Sequence, residues 1–471
     1  METPLTVVVL AAGLGTRMKS RKAKVLHRAG GRYLVEHVLR TARALAPPER
    51  IFVVVGHQSA EVRAALETPG VGFGGGFIEQ AEQKGTGHAL MVAADTLAGL
   101  DGRIVILYGD CPLVRPRTLE DLIAAQQSAD AAGAILTAVM DDPTGYGRVL
   151  RDAAGQVAGV VEQRAGTPEQ LAIREANMGL YCYRAAPFWK HIQELRPDNP
   201  AREYYLTDMV DILHRAGHAI AAFRIDDPRE VLGINDREEL SVVDRLLRAR
   251  KVRELMLAGV TIERPETVTV DPDVTIGMDS IVEPFAQILG HTAVGENCRI
   301  GACSIVQDSL LADEVEVGPF TIIGTSQLER GAHAGPFARL RMQNHLAAGA
   351  HVGNFVELKK TSLGAGSKAM HLAYLGDSEI GPRVNVGAGT ITCNYDGSRK
   401  YPTTIGAGAF IGSNSTLVAP VEVGQGAYLA AGSVITNDVP ADALGVGRAR
   451  QVNKEDWARK RRELGKKRST D

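Results

Sequence analysis

Glycines and a basic residue follow the first apolar segment of the chain in a pattern suited to phosphate binding. The segment TVVVLAAGLGTRM places Gly13 and Gly15 after a run of aliphatic residues, and Arg17 two positions later. Glycines let main-chain N–H groups approach phosphate oxygens without a Cβ in the way, and a guanidinium matches the geometry of those oxygens. The spacing is neither that of a dinucleotide fingerprint nor that of a Walker loop. We therefore predict a different cradle, for a nucleoside triphosphate, with an ordinary glycine-rich turn as the alternative.

The elements that must position these residues are short Val/Ile-rich runs that alternate with helical stretches up to about residue 235. This alternation predicts an α/β domain over 1–235, Rossmann-like and with a mostly parallel sheet. In such sheets ligands bind at the carboxyl ends of the strands. Three runs end in polar or glycine-rich tips, at 13–17, at 56–58 and at Gly109 with Asp110. We expect these tips to form one active edge.

A linker and a repetitive domain follow. Residues 236–258 combine Leu, Arg and Glu at helical spacing, which predicts a linker helix. Beyond it, aliphatic residues recur at every sixth position, a period that fits neither a helix nor a strand. Six residues make a short strand and a turn, and three such units close a triangular coil, so we predict a parallel β-helix over 270–440 within a second domain, 259–471, that ends in a C-terminal tail. A β-sandwich with chance spacing is the alternative. The predicted inward positions are Ile276, Val282, Ile288, Val294, Ile300, Val306, Ile405, Ile411, Leu417, Val423, Leu429 and Ile435.

The six-residue register breaks once, between Val386 and Ile405, around the segment TITCNYDGSRKYPTT. We predict that a loop leaves the β-helix there, and loops displayed from a rigid scaffold often carry function. The basic stretch from Glu455 to Lys467 is compatible with a nucleic-acid tail, but its composition favours a solvated helix.

The overall composition favours small-molecule partners. Acidic and basic residues nearly cancel, 55 against 53, so no net field directs the chain to nucleic acid or to an anionic membrane. The five cysteines form no metal-binding spacing, which fits a reducing, cytoplasmic location. We find no export signal, and no apolar run approaches the ~18 residues of a spanning helix, so membrane insertion is not expected.

Motifs along nearly all of the chain add a resemblance to these patterns. The N-terminal half carries LAAGLGTRM, EQKGTGHA, YGDCPL, DDPTGYGR and EANMG, and the C-terminal half carries GPFARLR, NFVELKK, HLAYLGD and TCNYDG. Together they resemble the bifunctional bacterial enzymes that are N-acetylglucosamine-1-phosphate uridylyltransferase and glucosamine-1-phosphate N-acetyltransferase in one chain. The resemblance implies synthesis of UDP-N-acetylglucosamine for peptidoglycan and lipopolysaccharide precursors. It also implies a left-handed β-helix of hexapeptide repeats and a homotrimer with acetyltransferase sites between subunits.

The reaction expected in the N-terminal half joins two anions, because a sugar 1-phosphate attacks the α-phosphorus of UTP. The site therefore requires cations and a metal. Arg17 and Lys24 supply positive charge. The resemblance makes Asp110 and Asn235 the protein ligands of Mg²⁺, although an Asp at a strand end is also an ordinary turn or cap residue. It places UTP and UDP-N-acetylglucosamine against Leu10, Ala11, Ala12, Gly13, Lys24, Gln80, Gly85, Thr86, Tyr108, Gly109, Asp110, Gly147, Glu162, Asn177 and Asn235. Taken alone, Glu162 and Asn177 would be read as exposed polar surface.

The reaction expected in the C-terminal half moves an acetyl group from acetyl-CoA to an amine. An ammonium cannot attack until a base removes its proton. The resemblance makes His371 that base, and Glu357 could hold its ring in the useful tautomer; a structural histidine is the alternative. Glucosamine-1-phosphate would contact Arg341, Lys359, Tyr374, Asn385 and, from the loop of a neighbouring subunit, Lys400. Acetyl-CoA would lie along the outside of the β-helix against Ala388, Asn394, Tyr395, Ser413, Ala431 and Arg448.

Four residues depart from the family pattern, namely Met178, Ala165, Met342 and Met370. None of them removes a charged residue with a direct role, so we expect altered packing or rate with function retained.

Three other functions compete with this interpretation. A single-activity sugar nucleotidyltransferase would carry a short β-helix without the group His371, Tyr374 and Asn394, and a regulatory subunit would not need its phosphate-binding cations. A zinc hydratase on the same scaffold needs three clustered histidines, and His333, His345 and His351 match that pattern poorly.

Overall fold

A nine-stranded sheet forms the centre of the first of two units, Met1–Arg248. The computed structural model describes residues 3–467. The strands of this unit are β1 (Leu5–Leu10), β2 (Arg28–Ala29), β3 (Arg32–Tyr33), β4 (Ile51–Val55), β5 (Gly76–Glu79), β6 (Arg103–Tyr108), β7 (Gly133–Val139), β8 (Gly147–Arg151), β9 (Val157–Val161), β10 (Glu175–Arg184) and β11 (Ile220–Arg224). The main sheet runs β11-β7-β10-β6-β1-β4-β5, β8 and β9 extend it from β10, and β2 and β3 pair separately. Only β10 runs antiparallel to its neighbours β6 and β7 on the main path, so the predicted mostly parallel sheet is confirmed.

Helices cover both faces of this sheet. The helices up to residue 257 are α1 (Leu34–Arg43), α2 (Ser59–Leu66), α3 (Thr86–Leu97), α4 (Pro116–Ser128), α5 (Pro168–Leu171), α6 (Ala185–His191), α7 (Asp208–Arg215) and α8 (Arg237–Leu257), and the two sheet cores contain residues of α1, α2, α3, α4, α6 and α7. Strand β1 is apolar throughout because its alternate residues enter two different cores: Val7 and Val9 pack on one side, and Val8 and Leu10 on the other.

The carboxyl ends of β4, β1 and β6 lie side by side, because β1 pairs in parallel with both neighbours. Leu10 pairs with Val54 and with Tyr108, so the chain leaving β1 at the glycine loop faces the chain leaving β6 at Gly109 and Asp110. The three predicted tips therefore lie at one edge of the sheet.

The second unit, Ala249–Asp471, is a triangular prism of short parallel strands that form three faces. Face A contains Thr261–Ile262, Ile281–Val282, Arg299–Ile300, Glu316–Val317, His333–Ala334, His351–Asn354, Lys368–His371, Asn385–Val386, Phe410–Ile411, Tyr428–Leu429 and Leu444–Gly445. Face B contains Thr269–Val270, Gln287–Leu289, Ile305–Gln307, Ile322–Gly324, Arg339–Leu340, Glu357–Lys359, Tyr374–Gly376, Ile391–Cys393, Thr416–Val418 and Val434–Ile435. Face C contains Thr275–Ile276, Ala293–Val294, Leu310–Leu311, Gln327–Leu328, His345–Leu346, Ser362–Leu363, Ser378–Ile380, Thr403–Ile405 and Val421–Val423. These stacked strands are consistent with a left-handed β-helix.

The inward residues of the prism form one continuous apolar core, and all twelve predicted inward positions belong to it. Glycines follow many inward residues because the next rung leaves no room for a side chain: a Cβ on Gly277 would lie 2.7 Å from the main-chain nitrogen of Glu296. The left-handed corner conformation falls elsewhere, three residues after an inward residue, and non-glycine residues such as Phe285 and Asn297 adopt it. The glycines that follow inward residues thus serve close stacking of the rungs rather than the left-handed corner conformation.

The register break is a loop, residues 394–402, between a face B strand and a face C strand, as predicted. The basic C-terminal stretch contains helix α9 (Trp457–Lys467), in agreement with the helix that its composition favours.

Candidate active sites

A cleft with a volume of 420 Å³ opens at the carboxyl edge of the sheet in the first unit. The glycine loop forms one wall, and the start of α3 forms the other. It is lined by Leu10, Ala11, Ala12, Gly13, Leu14, Gly15, Thr16, Lys24, Val25, Gln80, Gln83, Gly85, Thr86, Ala89, Tyr108, Asp110 and Glu203. Ten of the residues predicted to bind nucleotide or metal are among them, so the structure brings most of this predicted set together.

Four predicted residues meet around one point of the cleft, which we call the cation cluster: Arg17, Lys24, Asp110 and Asn235. The Lys24 ammonium forms an ion pair with Asp110 and donates a hydrogen bond to Asn235 Oδ1 over 3.2 Å. Arg17 donates to the same amide oxygen over 2.9 Å. A carboxylate and an amide oxygen therefore converge on a single cation, and such hard oxygen donors are those that Mg²⁺ prefers.

The two glycines of the loop serve different purposes. Gly15 has φ +61°, and a Cβ there would lie 2.7 Å from Lys24 Cβ, so the backbone itself requires glycine. A Cβ on Gly13 would meet nothing within 4 Å, and Gly13 lines the cleft. The free space above Gly13 is therefore available to a bound molecule, in keeping with the predicted phosphate cradle.

The opposite wall is built by the turn that precedes α3. Gly85 has φ +108°, and a Cβ there would lie 2.5 Å from the Tyr204 carbonyl oxygen, so the turn is tightly packed against the following chain. Gln80 is buried and its amide donates to the Gly85 carbonyl oxygen over 3.1 Å. Thr86 Oγ1 accepts a hydrogen bond from the Leu206 main chain over 3.2 Å. These contacts fix polar groups of Gln80 and Thr86 beside the cleft.

A second polar group lies where the resemblance predicts sugar binding. Asn177 is buried and donates to the Tyr181 hydroxyl over 2.8 Å, and it lies opposite Gly147 in the pairing of β10 and β8. Glu162 accepts a hydrogen bond from Thr207 over 3.0 Å, and burial raises the pKa of its carboxyl. Neither Glu162 nor Asn177 belongs to the exposed polar surface that each would suggest in isolation.

Asp208 neighbours this group and was not among the predicted residues. Burial and the nearby Glu162 carboxylate raise the pKa of Asp208 to about 6. Asp208 follows Thr207, whose hydroxyl donates to Glu162 across 45 positions of the chain. Its proximity to Glu162 therefore depends on the fold, and local sequence gives no signal for it.

In the prism, one group of polar side chains lies where face B turns toward face C, and we call it the lysine cluster: Lys359, Asp377, Asn394 and Lys400. Lys359 is buried, and its ammonium lies 3.9 Å from the Asp377 carboxylate. Asn394 donates a hydrogen bond to the same carboxylate. Contact with Lys400, followed by burial, lowers the pKa of Lys359, and Asp377 opposes that change. Two adjacent ammonium groups form a natural position for an anion such as a phosphate.

Tyr374 extends across face B toward this cluster. A Cβ on Gly376 would lie 2.5 Å from the Tyr374 hydroxyl and 2.7 Å from Asn394 Nδ2, so both groups crowd the same glycine. The resemblance predicts that Lys400 comes from the loop of a neighbouring subunit. The structure places it beside Lys359 of its own chain, because pairing between Tyr395 and Lys400 folds the loop back on itself.

His371 occupies the other margin of face B. It is the last residue of its face A strand, pairs in register with Asn354, and is exposed. Glu357 lies on face B opposite Tyr374 and forms an ion pair with Arg341 at 3.1 Å. No hydrogen bond joins Glu357 to His371 among the residues that the structure describes, so the predicted orienting role has no contact to support it and Glu357 instead positions Arg341.

Four of the six predicted acetyl-CoA residues, Ala388, Ser413, Ala431 and Arg448, form a ladder along the turns between face A and face B, which we call edge AB. A Cβ on Gly387 would lie 2.5 Å from the Ser413 nitrogen, and one on Gly412 would lie 2.5 Å from the Ala431 nitrogen, so Ser413 and Ala431 stack on successive rungs. Ala388 accepts from Asn414, and a Cβ on Gly432 would lie 3.9 Å from Arg448 Cδ. Ala388, Ser413 and Ala431 follow the three face A strands that come after the strand of His371, while Asn394 and Tyr395 follow a face B strand. Asn385 is exposed on face A, one rung beyond Lys368.

Three of the four departures, Met178, Met342 and Met370, directly follow or precede predicted site residues. Met178 is buried next to Asn177, and Met370 is half-buried next to His371. Met342 is exposed, and Ala165 lies in an exposed turn whose amide donates to the Glu162 carbonyl oxygen. Their effect on rate stays a prediction.

Other groups of potential ligands are accounted for. All five cysteines are free thiols. His333 and His351 lie with ring centroids 4.1 Å apart on face A, but His345 bonds to Glu329 on face C. Within residues 3–467, no three His, Cys, Asp or Glu side chains are grouped so that they could hold a metal ion, which counts against the zinc hydratase. No helix in that range is both long enough and apolar enough to cross a bilayer.

Comparison with known proteins matches both units. Residues 7–173 match the MobA-like NTP transferase domain, and residues 273–308 and 402–437 match the bacterial transferase hexapeptide (six repeats).

Full-length relatives carry a single description, Bifunctional protein GlmU. That of Solibacter usitatus (strain Ellin6076) is 67% identical over 466 residues, which cover 99% of each chain. That of Koribacter versatilis (strain Ellin345) is 48% identical over 464 residues, or 98% of each chain. That of Anaeromyxobacter sp. (strain Fw109-5) is 49% identical over 460 residues, or 98% of this chain and 93% of the relative. The chain therefore belongs to the GlmU family of bifunctional enzymes, the uridylyltransferase and acetyltransferase family that its motifs resemble.

Proposed function

We propose an assignment of individual residues to the two reactions of this bifunctional enzyme of UDP-N-acetylglucosamine synthesis. Acetyl transfer to glucosamine-1-phosphate comes first and is assigned to the prism. Uridylyl transfer from UTP to the resulting N-acetylglucosamine-1-phosphate comes second and is assigned to the cleft.

In the uridylyl reaction, a phosphate oxygen of the sugar phosphate attacks the α-phosphorus of UTP, the bond to the β-phosphate breaks, and pyrophosphate leaves. The N–H groups of the glycine loop hold the phosphates above Gly13, and Arg17 and Lys24 balance the negative charge that gathers there. The geometry that supports this is the convergence of Arg17 and Lys24 on Asn235.

Asp110 and Asn235 would hold Mg²⁺, since their oxygens already converge on one cation, the Lys24 ammonium. The metal would neutralise phosphate charge and would orient the phosphates. At the sugar end, Glu162 and Asn177 bind the hydroxyl and acetamido groups, with Tyr108 and Gly147 beside them.

In the acetyl reaction, the amine nitrogen attacks the thioester carbon, the carbon–sulfur bond breaks, and CoA leaves. His371 takes the amine proton as the general base. Arg341, Lys359 and Lys400 bind the sugar phosphate, and acetyl-CoA extends along edge AB. His371 and the lysine cluster lie at opposite margins of face B, and the homotrimer that the family implies, with sites between subunits, would bring both kinds of group to one substrate. A cytoplasmic location fits the free thiols.

The convergence of Lys24, Asp110 and Asn235 at the sheet edge is the observation that carries the uridylyl assignment. The test supplies purified protein with glucosamine-1-phosphate, acetyl-CoA, UTP and Mg²⁺, and measures free CoA thiol and pyrophosphate separately. Both products should form, and pyrophosphate should depend on prior acetylation. Release of only one product would contradict the assignment of two reactions to this chain.

A further inference from the structure

His88 stands behind the predicted base-binding wall, on the first turn of α3, and it is not among the residues that line the cleft. Its ring packs against Tyr204, with ring centroids 5.9 Å apart. Tyr204 is itself held to the turn, because its nitrogen donates to the Lys84 carbonyl oxygen and its carbonyl oxygen accepts from Gly87, both over 2.8 Å. The imidazole is therefore in a fixed position, although it does not reach the ligand.

The contact that His88 makes is with the side-chain amide of Gln80. Gln80 Nε2 lies 3.0 Å from His88 Nδ1 and 3.1 Å from the Gly85 carbonyl oxygen. The carbonyl oxygen can only accept, so one amide hydrogen points to it, and the other points to Nδ1. This arrangement requires the His88 tautomer with its proton on Nε2, which leaves Nδ1 as an acceptor.

With both hydrogens committed, the Gln80 amide can present only its oxygen to the cleft. No donor within residues 3–467 bonds to Oε1, and Gln80 lines the cleft while almost wholly buried, with 3% of its surface exposed. A buried acceptor of fixed direction favours a ligand that offers an N–H group there and disfavours one that offers a lone pair.

This distinction separates the two pyrimidines. Uracil carries a hydrogen on N3, whereas N3 of cytosine is an acceptor, so an oxygen facing N3 attracts the first base and repels the second. If the amide rotated by half a turn, the preference would be reversed. We propose that His88 is a positioning residue that fixes the Gln80 amide with its oxygen toward the base, and thereby makes the enzyme select UTP over CTP. The proposal rests on the proposed uridylyl reaction.

The test compares kcat/KM for UTP and for CTP, with N-acetylglucosamine-1-phosphate at saturation. His88→Phe keeps a ring against Tyr204 and removes the acceptor, and we expect it to lower the UTP/CTP ratio about tenfold, mainly through a higher KM for UTP. His88→Asn places an amide oxygen near the position of Nδ1 and should keep the ratio within about twofold of the parent. His214→Phe, in α7, is the matched control and should leave the ratio unchanged.

A purely structural role would give a different pattern, because both His88 variants would then lower turnover of UTP and CTP alike and would also raise the KM for the sugar phosphate. That pattern, or an unchanged ratio in His88→Phe, would overturn the proposal. Acetyl transfer by the same preparations reports folding, and if His88→Phe lost it, His88→Leu would take its place with the same expected ratio. A parent enzyme that formed no UDP-N-acetylglucosamine would instead contradict the proposed function itself.

Discussion

The cleft and the prism build their sites from contacts of very different sequence separation. In the cleft, Arg17 and Lys24 bond to Asn235 across 218 and 211 positions of the chain. In the prism, Arg341 bonds to Glu357 across 16 positions, and Asn394 bonds to Asp377 across 17, which is about one rung. The cleft therefore depends on the whole α/β fold, whereas each part of the prism site depends only on the rungs beside it. The contacts of each site stay within one unit, so one site should be lost without the other.

The strongest test of that independence is Asp110→Asn. It removes the charge that pairs with Lys24 and replaces the carboxylate predicted to hold Mg²⁺ with a neutral amide. We expect pyrophosphate release to fall about 1000-fold, with acetyl transfer unchanged, in separate assays of the two reactions. Asp101→Asn, at the opposite end of β6, is the control and should retain both rates. A parallel fall of acetyl transfer in Asp110→Asn would mean that the sites are coupled.

The reciprocal test is His371→Ala. Loss of the base should slow acetyl transfer at least about 100-fold at neutral pH, because the amine then has no side chain to take its proton, and uridylyl transfer should continue. The assay measures CoA thiol with glucosamine-1-phosphate. His345→Ala removes a histidine of face C and serves as the control. If acetyl transfer in His371→Ala stayed at the parent rate, His371 would not be the base.

A third test, Asp377→Asn, concerns the prism site alone. The Asp377 carboxylate contacts two members of the lysine cluster, Lys359 and Asn394. Its negative charge raises the pKa of Lys359 against the effects of Lys400 and burial, so its removal should lower that pKa further. Lys359 binds phosphate only when protonated. The KM for glucosamine-1-phosphate should therefore rise about tenfold, and the further rise with increasing pH should begin at a lower pH than in the parent.

The measurement is a profile of KM and kcat against pH in the acetyl reaction. Glu379→Gln, an exposed carboxylate two residues further along, is the matched control. An unchanged KM profile in Asp377→Asn would remove Asp377 from the site, and a loss of kcat alone would assign it to the chemical step instead.

The smallest expected effect concerns stability of the first unit. Burial, followed by the nearby Glu162 carboxylate, raises the pKa of Asp208 to about 6 from the ordinary aspartate value of 3.8. A raised pKa means that the folded state holds the proton more tightly, so this group favours folding below pH 4 and that contribution is lost as pH rises through 6. Asp208→Asn should therefore stabilise the protein by about 1 kcal/mol at pH 8, a figure reduced for solvent screening, and by less as pH falls toward 4.

Thermal unfolding at pH 4, 6 and 8 measures this difference. Asp121→Asn, on α4 and paired with Arg117 at 2.8 Å, is the control and should not stabilise at any of these pH values. A gain for Asp208→Asn that was independent of pH would point to helix packing rather than to the buried charge.

The separation of contacts also explains what the sequence could predict. The inward positions such as Ile276 and Val423, and the loop at 394–402, follow from a period that can be counted along the chain. The role of Asn235 at the sheet edge, by contrast, entered through the resemblance, because no local pattern connects it with Lys24 or Asp110. Asp377 stands inside the motif HLAYLGD, but its role depends on Asn394 in the next rung.

Glu357 and His88 make contacts that the sequence did not predict, because these contacts depend on the folded chain and not on a local pattern. Glu357 lies one rung from both Arg341 and Tyr374, and its choice of Arg341 depends on side-chain reach rather than on register. His88 lies in the quoted motif EQKGTGHA, yet only the folded turn brings its ring nitrogen to Gln80.

The ladder along edge AB also fixes a length. Ala388, Ser413, Ala431 and Arg448 follow four successive face A strands, and neighbouring strands lie about 4.8 Å apart, so the ladder extends about 14 Å from first to last. Excision of the 18 residues 412–429 would join equivalent points of two rungs, preserve the inward and outward phase, and move Arg448 about 4.8 Å toward His371. In such a shortened protein the proposed acetyl-CoA site would be shorter by one whole rung, because the spacing of the strands sets the distance between successive positions along edge AB.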